Sequence, residues 1–427
     1  MKNDITALSV PELEALAAEL RKQYDGYKSR GLKLDMSRGK PCTAQLDLSE
    51  KMLTVLSDNA SCVDATGFDC RNYGVMDGIA EAKQMFAQLF GVEADEVIVG
   101  GNSSLNMMYD QIVRGLLLGV YGGEKPWSAQ GKIRFICPVP GYDRHFSICE
   151  SLGIEMVNVA LTPNGPDMDA VEKLIKDPSV KGMWNIPKYS NPTGITYSDE
   201  TVRRIARMKP AAKDFRVFWD NAYALHDFGP NPDTLLDLMA EAKKAGNEDM
   251  ILMYMSTSKI SFPGAGVAAM AASKANIDLI KKQMFFQTIG PDKLNQLRHV
   301  RYFGSADGLK AYMKKHAAII KPHFDVALST LDRELKGTGA ADWYAPNGGY
   351  FISFNVLPGC AKKVVAMMKD AGVTVTGAGS AFPYGKDPDD KNIRLAPTYP
   401  SLEELQTAMD ILCVCTKLAA AEKLLGL

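Results

Sequence analysis

Apolar positions in this chain fall into short unbroken runs, each closed by glycine, proline or a cluster of polar residues. EVIVGG (96–101), KIRFIC (132–137), a stretch from Ile154 to Val159, VKGMWNI (180–186), FRVFW (215–219) and ILMYM (251–255) all have this form. Runs of four to six residues without polar alternation suit strands buried on both faces of a parallel sheet. Between them the apolar spacing changes to threes and fours. Ile79, Met85, Phe86, Leu89 and Phe90 make one helical stripe, and Leu105, Met108, Ile112 and Leu116 another, while 168–175 predicts a third helix. Strand and helix alternating in this way predict an α/β unit with a mainly parallel sheet between helices. The first twenty residues predict an amphipathic helix capped near Ser9. Residues 274–335 read as mainly helical. Beyond 340 the units shorten to an α+β pattern: GGYFISFNV as a strand, AKKVVAMMKDAG as a helix, VTVTGAGSAF as strand and loop, NIRLAPTYP as a strand, and a long helix from about Leu402. A chain of 427 residues exceeds the usual size of one core, so two units are expected.

Composition narrows the function. Forty-nine basic and fifty acidic residues leave a formal charge of −1, which removes the usual electrostatic basis for nucleic-acid or anionic-membrane binding. No apolar run approaches the roughly 20 residues of a spanning helix, and the acidic N-terminus lacks the basic-then-apolar order of a secretory leader. The eight cysteines form no Cys-x-x-Cys pair or His/Cys cluster with zinc spacing, so no metal site is expected. A cytoplasmic protein working on small molecules is the expectation.

The candidate chemistry lies where the apolar runs stop. After ILMYM come Ser256, Thr257, Ser258 and Lys259. A lysine held at a strand's carboxyl end loses solvation, which favours the neutral amine that attacks carbonyls; the plainer reading is a solvated loop lysine. Gly100 and Gly101 lead through Asn102, Ser103 and Ser104 into a helix. That arrangement is a ready anion cradle or ordinary capping by Asn102, and it lacks the sequence of a nucleotide P-loop. Tyr142, after the strand at 132–137, can stack on a flat ring or serve as a structural aromatic. Asn191 sits in an Asn-Pro-Thr-Gly turn that can present its amide to a ligand or simply reverse the chain. Asp220 and Tyr223 close FRVFW: the carboxylate can keep a heteroaromatic nitrogen protonated or cap a helix, and the phenol can donate to a ring oxygen. His226 reads as packed or solvated. Arg394, between Ile393 and Leu395, can aim its fork at a carboxylate or be an edge-strand arginine. Gly39 sits in a turn-rich loop that permits close backbone approach, and Tyr73 precedes a helix where it can reach a ligand or anchor a loop.

In order and spacing, this set resembles the fold-type-I pyridoxal-phosphate aminotransferases, from the Gly39-Lys40-Pro41 loop to Arg394. It looks most like the divergent aspartate aminotransferase group whose domain also occurs in MocR-type regulators. The resemblance implies a large domain (51–300) with a mainly parallel seven-stranded sheet, a small α+β domain (301–427), and an N-terminal arm (1–50) joining the small one. It implies pyridoxal 5′-phosphate as cofactor, with Lys259 as the Schiff-base lysine, Asp220 on the ring nitrogen, and Asn191 and Tyr223 on the ring oxygen. Asn102, Ser103, Ser104, Ser256 and Ser258 would surround the phosphate, Tyr142 would stack on the ring, Arg394 would bind the substrate α-carboxylate, and Gly39 would line its pocket. The implied reaction is ping-pong transfer of an amino group, aspartate to 2-oxoglutarate, in a homodimer with shared sites, where Tyr73 and the Gly290-Pro291 region come from the partner. One position departs from the pattern. About eight residues after the lysine, where the family usually has a phosphate-binding arginine, stand Gly266 and Val267. The arginine for a distal carboxylate is also unassigned among Arg38, Arg144, Arg298 and Arg301. The same residues would serve a lyase acting at the β-carbon, and a ligand-sensing domain of a regulator is a further alternative.

Overall fold

A computed structural model of the chain describes residues 4–427, so the first three residues of the expected arm and helix lie outside the described residues. Its strands, in chain order, are β1 (Leu34–Met36), β2 (Val97–Val99), β3 (Arg134–Val139), β4 (Glu155–Thr162), β5 (Gly165–Pro166), β6 (Val180–Asn185), β7 (Arg216–Asp220), β8 (Ile251–Ser256), β9 (Ala268–Ala272), β10 (Ala341–Trp343), β11 (Ile352–Val356), β12 (Val373–Val375) and β13 (Asn392–Leu395). The principal sheet runs β2-β9-β8-β7-β6-β3-β4-β5. From β8 through β4 the neighbours are parallel, whereas β9 is antiparallel to both β8 and β2. Seven strands make up the body of the expected sheet, and the two-residue β5 extends its edge in antiparallel pairing with β4.

The apolar runs form strands because both faces are covered. Every residue of β6 and β7 is buried, as are the first five of β8. One face packs against helices through Phe86, Phe90, Val202, Ile205 and Leu238; the other packs through Met108, Ile112, Phe146 and Ile277. Strand β9, AAMAA, has no β-branched or aromatic residue, and its pattern shows only a run of small side chains. It becomes a strand because β2 and β8 pair with it on both edges and all five residues are buried, so tertiary pairing overrides weak propensity.

The N-terminal helix, Val10–Lys28, begins at Ser9 with a capping box in which Glu12 Oε2 accepts from the Ser9 backbone N–H at 2.8 Å. It packs along the last helix, Leu402–Leu424. Three further helices occupy the expected helical stretch: Lys274–Met284, Lys293–Phe303 and Ala306–Glu334. The last of these joins two cores, burying Leu309 and Met313 beside the large sheet and Ile320, Phe324 and Leu331 against the C-terminal elements. Those elements carry a three-stranded antiparallel sheet, β10-β11-β13, and a two-stranded parallel pair, β1-β12. Pairing of β1 with β12 carries the loop after Met36 to Thr376, whose hydroxyl donates to the Ser37 carbonyl at 2.6 Å. Among the described residues no helix is long and apolar enough to cross a membrane.

Candidate active site

Strand β8 releases the chain into a tight polar turn, and Lys259 lies on it. Three histidines pin that turn. His226 Nε2 lies 3.3 Å from the Lys259 carbonyl, His299 Nε2 lies 2.7 Å from Ser261 Oγ, and His316 sits against the Ile260 backbone. Burial holds all three neutral near pH 7, pushing His226 down to about 3 and both His299 and His316 to about 4. His316 Nδ1 meets Gln45 Nε2 at 3.0 Å, and the same amide is 2.8 Å from the Tyr350 hydroxyl. His226 is thus packed, as one of its two sequence readings had it.

The lysine side chain still reaches water in part, but protein crowds its amine. Nζ is 5.3 Å from the centre of the Tyr223 ring and 5.9 Å from that of Tyr350. Burial lowers its pKa; Asp220 acts in the opposite sense and Arg394 adds to the lowering. The neutral amine, a nucleophile and a proton acceptor, is therefore more accessible here than on a surface lysine.

Asp220 ends β7 and is 3% exposed. Its Oδ2 is 3.1 Å from His145 Nε2, and the His145 ring stacks on Trp184 with centroids 4.2 Å apart and planes 9° from parallel. Its Oδ1 is buried without a hydrogen-bond partner among the described residues. An orphaned carboxylate oxygen is expensive unless a donor arrives from outside the chain, and a protonated ring nitrogen is such a donor. Tyr142 stands edge-on to His145, 5.0 Å between centroids, with its pKa pushed up to about 12 by burial. Gly141 makes the approach possible, since a Cβ there would lie 2.5 Å from the Pro138 carbonyl oxygen and 2.7 Å from the Phe146 ring. Burial also raises the Tyr223 phenol well above its ordinary range, so it is a donor at neutral pH.

The turn that carries Lys259 also holds a cluster of hydroxyls. Ser256 Oγ donates to Ser258 Oγ at 3.2 Å, Ser258 Oγ donates to the Asn102 carbonyl at 2.9 Å, and Asn102 Nδ2 donates to the Gly264 carbonyl at 3.4 Å. The helix Ser104–Leu117 starts here, and its N-cap, Ser103, makes no side-chain capping bond. Free N–H groups at a helix start with hydroxyls beside them form an anion site. Where an arginine was expected, the Gly266 carbonyl instead accepts from Asn295 Nδ2 at 2.8 Å, and Arg298 donates to the other side of that amide. Arg38, Arg144 and Arg301 are exposed, the last donating to the Val63 carbonyl at 3.0 Å.

Arg394 lies on the edge strand β13 yet is only 8% exposed. Nη1 donates to Asn191 Oδ1 at 3.3 Å and Asp143 Oδ1 at 3.1 Å, Nη2 donates to Thr376 Oγ1 at 3.4 Å, and Nε is buried without a partner among the described residues. Its guanidinium covers the Phe351 ring at 5.0 Å. Gly39 lies against the same ring, where a Cβ would fall 2.5 Å from Phe351 Cζ, and Tyr223 stands edge-on to it with centroids 6.3 Å apart. A chain of contacts therefore joins Lys259 to Tyr223, Tyr223 through Phe351 to Gly39 and Arg394, and Arg394 to Asn191, while Asp220 and Tyr142 meet at His145. Tyr73 is 77% exposed, and among the described residues no contact ties it to this group. His145, Asp143, Tyr350, Phe351 and Thr376 were absent from the sequence-based set. For His145 a local signal exists, a spacing of three from Tyr142 at a helix start; for the others the partners are too distant in the chain.

A family model described as aspartate amino-transferase matches residues 8–427. An aspartate aminotransferase of Corynebacterium glutamicum is 46% identical over 95% of this chain and 93% of its own length. The solved structure of an aspartate transaminase from the same species superposes with a TM-score of 0.96 at 44% identity, covering 99% of this chain and 100% of that one. The α-aminoadipate aminotransferase of Thermus thermophilus, solved with N-(5′-phosphopyridoxyl)-L-leucine, shares the fold at a TM-score of 0.72 and 20% identity, over 93% of this chain and 95% of that one.

Proposed function

The chain belongs to the aspartate aminotransferase family, and from that premise we propose that it transfers the amino group of aspartate to 2-oxoglutarate, using pyridoxal 5′-phosphate in two half-reactions. The observation that carries the cofactor assignment is the buried, unpartnered Oδ1 of Asp220, a carboxylate close enough to act on Lys259, whose amine burial shifts toward neutrality. When bound, the cofactor supplies an electron-withdrawing ring that stabilises negative charge at the substrate α-carbon. The chain's own residues do the rest. Asp220 Oδ1 accepts the ring N–H, with His145 fixing the carboxylate; Asn191 and Tyr223 hold the ring oxygen; Tyr142 covers the ring. Asn102, Ser103, Ser104, Ser256 and Ser258 hold the phosphate through hydroxyls and backbone N–H groups. Arg394 orients the substrate carboxylate beside Gly39, and Lys259 Nζ removes and returns the α-proton.

A homodimer with shared sites is part of this reading. Tyr73, Phe285, Phe286 and Ile289 are large apolar side chains 62–81% exposed, and Gly290 packs so closely on Gly74 that a Cβ would lie 2.5 Å from its carbonyl oxygen. These exposed surfaces suit burial by a second copy that receives Tyr73. The division into 1–50, 51–300 and 301–427 also belongs to the proposal, as does a reducing, cytoplasmic setting suited to eight free thiols.

Purified enzyme given aspartate and 2-oxoglutarate is expected to form oxaloacetate and glutamate one for one. Alanine and carbon dioxide in place of oxaloacetate and glutamate, the products of reaction at the β-carbon, would overturn the assignment. Lys259→Ala is expected to lower turnover by roughly 10⁴-fold, and full activity in that variant would remove the lysine from its role.

A further inference from the structure

Asp143 places a carboxylate on the guanidinium that a substrate carboxylate would use. It accepts from Arg394 Nη1 at 3.1 Å, while the neutral oxygens of Asn191 and Thr376 accept from Nη1 and Nη2. The two partners differ in freedom. Arg394 is fixed between Phe351 and β11, with its side chain 8% exposed, whereas the Asp143 side chain is 34% exposed. Asp143 is the first residue of the helix Asp143–Ser151, directly after Tyr142, so its backbone is held at the pocket wall while its side chain borders water. No step of the proposed transfer needs an acid there, because Asp220 serves the ring and Lys259 the proton.

We propose that Asp143 is a resident competitor for Arg394. With no substrate bound, its carboxylate holds the guanidinium in its binding pose; an arriving carboxylate takes over the fork, and Asp143 turns to solvent. Two carboxylates on one guanidinium repel each other, so the exchange sets substrate affinity below what Arg394 alone would give. Asp143 is then an affinity-setting residue rather than a catalytic one. The inference rests on Arg394 as the carboxylate site.

The test uses loaded enzyme and succinate, which carries carboxylates but neither an amino nor a 2-oxo group, with Kd read by calorimetry. Asp143→Asn is expected to lower the succinate Kd about five- to tenfold and to lower KM for aspartate in proportion, a shift in KM larger than any in kcat. Asp143→Glu, which keeps the charge, should stay near the parent value. An unchanged or higher Kd in Asp143→Asn overturns the role. Asp143→Ser repeats the measurement without an amide, and bound-cofactor absorbance reports that each variant is folded and loaded. Arg394→Gln separates the two claims. If it binds succinate as the parent does, Arg394 itself is misassigned; if it loses binding while Asp143→Asn gains none, only the role of Asp143 falls.

Discussion

At the ring-nitrogen end of the proposed site a single carboxylate, Asp220, is buried, held by His145 and backed by Trp184; at its proposed phosphate end, Asn102, Ser103, Ser256 and Ser258 are partly or largely open to water and carry no formal charge. The difference follows from what each end must bind. A ring nitrogen is one atom, and its proton stays on only if one oppositely charged oxygen is fixed opposite it in a low-dielectric wall. A phosphate spreads its charge over several oxygens, so many weak donors at a helix start can replace one strong cation. The chain has spent its buried charge at the first end and left Gly266 at the second. The largest effect is therefore expected from Asp220→Asn, which keeps the shape and removes the charge. Turnover of loaded enzyme should fall by roughly 10²–10³-fold, measured as kcat at saturating aspartate. A loss under tenfold would mean that the carboxylate does not govern the ring, and the contrast between the two ends would collapse.

Acid tests the turn that carries Lys259, because burial keeps the three histidines packed on it neutral. His226, His299 and His316 have folded pKa values of about 3, about 4 and about 4 against an ordinary 6.5, all lowered chiefly by burial. The unfolded chain therefore binds protons that the folded chain refuses. Their contribution to stability is complete above about pH 6.5 and is lost as pH falls from there toward 4 and 3, at up to about 1.4 kcal/mol per pH unit for each histidine. Urea unfolding at pH 7 and pH 5 checks this in a range where ordinary carboxylates stay ionised. The midpoint should be lower at pH 5, and His299→Gln should flatten the dependence. Equal midpoints at the two pH values would mean that the three imidazoles do not clamp the Lys259 turn as neutral groups.

Legibility in the sequence divides along similar lines. Lys259, Asp220 and Arg394 could be read because each is a charged residue at or within an apolar strand, where a parallel sheet normally presents its ligands. The strands themselves were legible wherever bulky apolar side chains ran unbroken. Strand β9 was not, because AAMAA has no periodicity and its pairing with β2 and β8 is supplied from 170 to 174 residues earlier and 12 to 20 residues earlier in the chain respectively, as the registers Val97–Ala271, Val99–Ala269, Leu252–Ala272 and Ser256–Ala268 show. His145 follows Tyr142 by one helical step, but its meaning depends on Asp220, 75 residues on. Asp143 was invisible for the same reason: its partner is 251 residues away. Gly39 is a mixed case, since close backbone approach was legible but the Phe351 ring that requires it was not.

The smallest effect is expected at the phosphate end, and its size bears most directly on the missing arginine. Ser258 Oγ donates to the Asn102 carbonyl and Ser256 Oγ donates to Ser258, so each hydroxyl shapes the cradle and must turn its one O–H away from that bond to reach an anion. Replacing one half-buried hydroxyl removes a hydrogen bond worth about 1 kcal/mol, and water can enter to repair part of it. The helix N–H groups behind Ser103 do not depend on either side chain. Ser258→Ala is therefore expected to weaken cofactor binding to the apoenzyme by only about fivefold, read as Kd from quenching of tryptophan fluorescence on titration with pyridoxal 5′-phosphate. Ser256→Ala should behave alike, and the double variant should fall short of the product of the two because the hydroxyls share a bond. A loss above a hundredfold from Ser258→Ala would show the opposite design: one hydroxyl, not a distributed set of donors, standing in for the charge that Gly266 lacks.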